Sequence, residues 1–376
     1  MKHIFKSILC ILFINLLIST SYANAYTNSE EAFKTIDNDF NAMIGQMLMI
    51  GMRGQSLSED QEVQKMLKQG KVGGVILFYS HGDLTPYNLA NKTQIQKLIQ
   101  ELKNTSKYPL FIAVDQEGGK VQRLSHKNGF KDYPTALSLG KKDSKNTYAT
   151  AKQIALELKE CGFNVNFAPS VDIHNPQSPA IGSKERAFSP IAIEVIEHSY
   201  AYAKAMKKTN IIPTLKHFPG HGNALKDSHL GFTDITNTWQ EKELLPYKRF
   251  IEKEYNGMIM VAHVYHKQID DKPASLSHNA ITKLLRNRLK FNGVVITDDM
   301  QMGAINKHYS LKDSIYLAIQ AGNDILLFSN NFKYDPKLPE KVYTCIVELV
   351  NEGKISKQRI QESWERIRKM KTEYML

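Results

Sequence analysis

The chain has 376 residues, enough for one large domain or two ordinary ones, and its 42% hydrophobic and 23% charged content excludes a disordered chain. The formal net charge of +11 suits an anionic partner such as a wall polymer or a membrane surface. No Arg-rich tract or aromatic-interleaved basic patch is present, which argues against nucleic acid.

The chain opens as a leader. Met1-Lys2-His3-Ile4-Phe5-Lys6 is basic, Ile8 to Ile18 is apolar but too short to span a membrane, and Ala23-Asn24-Ala25 is a small-x-small cleavage site. The expectation is a signal peptide over 1–25, a mature start at Tyr26, and export to the periplasm or beyond without a stable membrane anchor. Removing Lys2 and Lys6 takes the charge from +11 to +9. Cys10 has no lipoprotein-type box around it. Cys161 and Cys345 have no metal-like spacing and read as two buried free thiols, with a disulfide as the other reading.

After a polar lead (Thr27–Asn41) come eight apolar runs: Ile44–Met52, Val72–Phe78, Leu110–Val114, Val165–Ala168, Ile211–Leu215, Met258–Ala262, Val294–Thr297 and Ile325–Phe328. Amphipathic segments lie between them, at Asn91–Lys103, Lys145–Glu160, Ile191–Lys208, Trp239–Lys253, Asn279–Lys290 and Leu311–Ala321. Continuous apolar strands alternating with helices mark a parallel sheet covered on both faces. Polar residues follow the strand ends repeatedly: Asp115, Asp172, Lys216, His217, His263 and Asp298. In a barrel these ends converge on one face, so the pattern predicts an α/β fold, a (β/α)8 TIM barrel over 26–376 in a single domain. Lys337–Glu352 and Ser356–Met370 read as closing helices.

The densest chemistry is Lys216-His217-Phe218-Pro219-Gly220-His221-Gly222, continued by Asp227-Ser228-His229. Its proline and glycines predict an irregular loop starting at Lys216. Asp227 two residues before His229 can hold one ring nitrogen while the other exchanges a proton with substrate. A second reading makes His217, His221 and His229 zinc ligands. Val294–Thr297 ends in Asp298-Asp299-Met300. Strand alternation admits at most one of the two carboxylates to the mouth, Asp298 as nucleophile, with Asp299 a helix N-cap before Met302-Gly303-Ala304. Asp115 and Arg123, around Glu117-Gly118-Gly119, can clamp sugar hydroxyls or brace their own loop as an ion pair. The glycine pair lacks any nucleotide-binding pattern.

Taken together, Asp115-Gln116-Glu117-Gly118-Gly119-Lys120-Val121-Gln122-Arg123, the Lys216–Gly222 stretch, Asp227-Ser228-His229 and Thr297-Asp298-Asp299-Met300 resemble glycoside hydrolase family 3, in particular its β-N-acetylglucosaminidase branch. The resemblance runs from about Ile44 to beyond Phe328. It implies a retaining hydrolase that needs no cofactor or metal, with Asp298 as nucleophile, His229 as acid/base and Asp227 orienting it. It further implies that Asp115, Arg123, Arg186, Lys216 and His217 hold the terminal sugar. Around Arg186 the stretch Ile181-Gly182-Ser183-Lys184-Glu185-Arg186 carries extra residues relative to the family pattern. His263 resembles a family element near the site and receives no role.

The implied substrate is a peptidoglycan fragment, from which terminal N-acetylglucosamine is removed. A His-Asp pair in place of a second carboxyl repels an anionic substrate less than a carboxylate would. The alternatives are a family 3 β-glucosidase, an N-acetylglucosaminide phosphorylase, and a wall-binding barrel without turnover.

Overall fold

A computed structural model describes residues 29–80, 87–331 and 334–376. The leader and its cleavage site therefore lie outside the described residues. Eight parallel strands form the barrel: β1 (Leu48–Gly51), β2 (Gly74–Ile76), β3 (Phe111–Val114), β4 (Val165–Asn166), β5 (Ile212–Phe218), β6 (Met258–Val261), β7 (Val295–Thr297) and β8 (Leu326–Phe328). They pair in the order β7-β6-β5-β4-β3-β2-β1-β8. The ring closes between β7 and β8 through a single bridge, Ile296 opposite Ile325, joined by Thr297 Oγ1 accepting from Leu327 N at 3.0 Å. Every residue of β1, β2, β3, β4, β5, β6, β7 and β8 is buried, as strands covered on both faces require.

All eight apolar runs contain a strand, with local differences. The first begins one element late. Ile44 belongs to a helix, Phe40–Gln46, because Asp39 accepts from Ala42 N at 3.1 Å and starts a turn there. The polar lead contains a helix over 29–37, which buries Phe33 and Ile36 and packs Phe33 against Trp364 with the rings tilted by 58°. The helix Gln61–Lys68, capped by Asp60, lies in a stretch that the apolar periodicity left unassigned. Over Trp239–Lys253 the α-helix is only Leu245–Glu252, since Pro246 fits its first turn and a 3-10 turn, Glu241–Leu244, precedes it. Asn279–Arg288 is a π-helix.

The Lys216 loop also differs from expectation. β5 runs on through Phe218, and the irregular backbone starts only at Pro219. Strand pairing to β6 overrides the local signal, although its register shifts between Leu215 and Phe218. Two closing helices, Leu338–Asn351 and Lys357–Glu373, seal the far end. There Lys371, fully buried, donates to Gln46 Oε1, Pro109 O and Gly73 O just before β1, β3 and β2. Cys161 and Cys345 are unpaired and buried. No described helix is long and apolar enough to cross a membrane.

Candidate active site

The C-terminal ends of the strands open onto a cavity of about 420 Å³. Its wall runs from Ile76 and Phe78 past Asp115, Phe167, Lys216, His217, Met260 and Asp298 to Leu327 and Ser329. Residues from seven of the eight strand ends thus share one space, the arrangement that places chemistry at this face of a barrel.

The β3 end is fixed first. Asn166 on β4 accepts from Gln116 N and donates to Gln116 O, both at 3.0 Å, and Tyr202 Oη donates to the same carbonyl. Gln116 in turn accepts from Arg123 N and Leu124 N at 2.8 and 3.0 Å. The intervening hairpin turns through Gly118 and Gly119, at φ of 101° and 57°, which non-glycine residues resist. This brings Arg123 back to 3.6 Å from Asp115.

Charges at the floor are paired tightly. Lys216 Nζ lies 2.9 Å from Asp115 and 2.7 Å from Glu117. Arg186 grips Glu117 with two bonds of 2.9 and 2.7 Å, a fork-to-fork pair, and its Nη1 donates to Ala180 O. Burial opposes the charge on Glu117, but Arg186 and Lys216 outweigh it and hold the carboxyl down at about 2. Asp115 is likewise lowered: burial raises it, and Lys216 and Arg123 more than reverse that. Arg186 Nη2 points at His217 Nε2 at 3.1 Å, so that nitrogen accepts and the ring proton sits on Nδ1, 2.6 Å from Asp172. Lys216 and His217 are consecutive yet both line the cavity, which the register shift in β5 allows.

Asp298 and Asp299 follow β7, and both line the cavity. The expectation that only one would reach the mouth fails because the strand ends at Thr297, and alternation ends with it. Burial pushes both carboxyls up. Around Asp298 the attraction of His263, His217 and His229 reverses the sign, and its pKa is lowered. For Asp299 no such attraction offsets burial, and its pKa rises to about 6. Its oxygens are committed to Gln301 N, Ser329 N and Ser329 Oγ. It ties β7 to β8 and is not a helix N-cap; Met302 holds that place. His263 lies beneath this turn, Nε2 donating to Asp299 O at 2.9 Å and Nδ1 accepting from Ser275 at 2.6 Å. Burial lowers its pKa, against the opposing attraction of Asp298.

His229 lines the same cavity. Its Nδ1 lies 2.6 Å from Asp227 Oδ1, which also accepts its backbone N–H at 3.0 Å. That hydrogen bond, against the opposing effect of burial, keeps the Asp227 carboxyl far below the usual range. Lys184 stands 3.6 Å from the other oxygen. The segment is docked by backbone bonds: Gly303 N to His229 O and Ala304 N to Ser228 O. Any Cβ at Gly303 would stand 2.8 Å from the Leu230 carbonyl, so glycine is what lets the two segments meet. The side chain of His229 is 43% exposed, whereas Asp299 is 7% exposed with its oxygens engaged, so the imidazole is the group placed to exchange protons.

The structure thus brings Asp115, Arg123, Arg186, Lys216, His217, His229 and Asp298 to one cavity, with Asp227 directly behind His229. Arg186 reaches it despite the extra residues before it. The zinc reading is not favoured: His217 is bound to Asp172 and Arg186, and His221 to Ser228 at 3.0 Å. Among the described residues no group of three or more His, Cys, Asp and Glu has a metal-site arrangement. Sequence reasoning gave no role to Glu117 or Asp172, which carry the buried ion pairs. Asp172 announced itself only as one more polar residue past a strand end, and Glu117 as a charge inside the Gly-Gly motif.

Fold and site define a (β/α)8 barrel with a polar, carboxylate-bearing mouth. The chain belongs to glycosyl hydrolase family 3: the model of that family's N-terminal domain matches residues 40–370. It is 31% identical over 366 residues to β-hexosaminidase A of Pseudoalteromonas piscicida, covering 88% of this chain and 60% of that one. It is 34% identical over 313 residues to a β-hexosaminidase of Nitrosomonas eutropha, covering 80% and 84%. Among solved structures it is similar to a family 3 β-N-acetylglucosaminidase from Paenibacillus sp. FPU-7, with a TM-score of 0.81 and 33% identity over 89% of this chain and 62% of that one. The chain spans less than two thirds of the first and third of these relatives.

Proposed function

We propose that the chain is a retaining exo-β-N-acetylglucosaminidase that releases terminal N-acetylglucosamine from peptidoglycan fragments. The observation that carries the reading is an ionised Asp298 and the Asp227–His229 pair lining one sugar-sized cavity. Relatives named β-hexosaminidase and β-N-acetylglucosaminidase support the sugar.

In this reading Asp298 attacks the anomeric carbon and forms a glycosyl-enzyme, and the glycosidic oxygen leaves with a proton from His229. Asp227 holds Nδ1, so the proton passes through Nε2. His229 then takes a proton from water, which attacks the same carbon and releases the sugar with its configuration retained. Asp115, Arg123, Arg186, Lys216 and His217 hold the sugar hydroxyls, and the Glu117 and Asp172 pairs keep those cations and rings in place. The leader-like 1–25 segment supports action outside the inner membrane.

Product analysis on purified muropeptides tests the reading. The wild-type protein is expected to release free N-acetylglucosamine without added phosphate, and Asp298→Ala to release none. Preference for an aryl β-glucoside, dependence of turnover on phosphate, or full activity of folded Asp298→Ala would refute it.

A further inference from the structure

Two loops bring the sugar-binding and proton-donating groups to the cavity. One follows β4 and delivers Arg186; the other follows β5 and delivers Asp227 and His229. They touch by backbone. A Cβ on Gly222 would stand 2.0 Å from Ile173 O, and within the loop after β4 one on Gly182 would stand 1.7 Å from Asn175 O. At that contact a single side chain bridges them. Asn223 Oδ1 accepts from Asn175 Nδ2 at 3.1 Å, and Asn223 Nδ2 donates to Glu243 Oε1 at 3.0 Å.

Glu243 belongs to the 3-10 turn before the next barrel helix, and it is buried beneath the loop. Its Oε1 also accepts from Gln240 N at 3.2 Å, and Gly222 N faces the carboxyl. Its Oε2 has no hydrogen-bond partner and lies 2.6 Å from where a Cβ of Gly220 would be. The same stretch grips the loop a second time, through Trp239 Nε1 and Pro219 O at 3.0 Å. None of these groups lines the cavity.

We infer that Glu243, Asn223 and Asn175 form a positioning chain that sets the place of the proton donor relative to the sugar-binding arginine. The inference rests on the proposed glycosidase reading for its effect on catalysis, though not for the coupling itself. Asn223 is four residues before Asp227, and Asn175 packs on Gly182, four residues before Arg186. A shift at Asn223 therefore moves both arms.

The carboxyl also makes the chain sensitive to pH. Burial first, then the charge of Asp172, pushes Glu243 up to about 7, against the opposing bonds from Asn223, Gln240 and Gly222. The other titratable group facing it is the Tyr247 hydroxyl, itself raised far above its ordinary value. Below pH 7 the acid is neutral and Oε1 still accepts from Asn223. Above it, a charge without a partner at Oε2 faces Asp172, which loosens the seat of the loop.

Hydrogen exchange and steady-state kinetics on the whole chain test this, with Asn223→Ala, Asn175→Ala and Glu243→Gln. Either alanine variant is expected to raise exchange over 174–186 and 222–231 together by about tenfold or more, with the barrel strands unchanged. Loosening of one loop alone, or of neither, would overturn the coupling. On an aryl β-N-acetylglucosaminide, Asn223→Ala should lower kcat and raise KM, and the kcat deficit should shrink with a dinitrophenyl leaving group that needs no proton. An equal kcat deficit for both leaving groups would contradict positioning of the donor. In the wild type, exchange of the two loops beyond its intrinsic pH dependence should rise through about pH 7 and in Glu243→Gln it should not. The same rise in both would remove Glu243 from the chain. A wild-type protein without turnover would refute the glycosidase reading and leave the exchange data to decide the coupling.

Discussion

Burial pushes both the Asp298 and Asp299 carboxyls up; His263, His217 and His229 reverse that for Asp298, while Asp299, with its hydrogen-bond donors outweighed by burial, stays raised at about 6. Asp298→Asn is therefore expected to lower kcat by about a thousandfold or more, and Asp299→Asn by far less, chiefly through the β7–β8 tie. Kinetics on an aryl substrate compare the two, and equal losses would contradict the assignment. Because Asp298 lies below the ordinary aspartate range, the acid limb of kcat/KM should fall at lower pH than a free aspartate gives. Glu117 makes a stability prediction. Its pKa is depressed to about 2 from 4.5, so its stabilisation is fully present above about pH 4.5 and is lost as pH falls toward 2. Glu117→Gln breaks a buried pair, at a cost of about 3 kcal/mol at neutral pH, and should flatten acid unfolding in that window. Denaturant titrations at several pH values measure both. Asp115, Asp172, Lys216, His217 and Asp298 were legible as mouth residues because each follows an apolar run, whereas the pairing roles of Glu117 and Asp172 were not, since their partners lie tens of residues away.

At the scale of elements, periodicity located the strands and most helices, and local chemistry set their ends. Leu311–Ala321 is found as expected because Ser310 caps one end and Gly322, left-handed at φ 114°, closes the other. The Lys216 loop was misread because proline and glycine are local signals, and strand pairing to β6 prevails as far as Phe218. No local signal could show that Gly303 is the seat of the His229 segment, since the contact joins distant parts of the chain. Gly303→Val should displace that segment and lower kcat by about tenfold or more while the protein stays folded, as circular dichroism and kinetics would show. Full activity would mean that the backbone contact does not position His229.

For the whole molecule, the two faces of the barrel have separate duties. The mouth carries the charged site, and the opposite end is sealed by the helix Lys357–Glu373 through Lys371. Lys371→Met would leave three buried oxygens short of a donor, costing about 1–3 kcal/mol each, yet should change kcat little at temperatures where the fold persists. A melting curve beside an activity assay separates stability from chemistry; a large loss of kcat without a fall in melting temperature would contradict the division. The barrel itself was legible from eight apolar runs with polar ends. Its closure was not, because β7 and β8 meet through one bridge that no local pattern encodes. The most direct test of the catalytic account is to trap the enzyme with a 5-fluoro N-acetylglucosaminyl fluoride, digest it and map the adduct by mass spectrometry. The account predicts a sugar ester on Asp298; an ester on Asp299 or Asp115, or turnover with inverted configuration and no adduct, would contradict it.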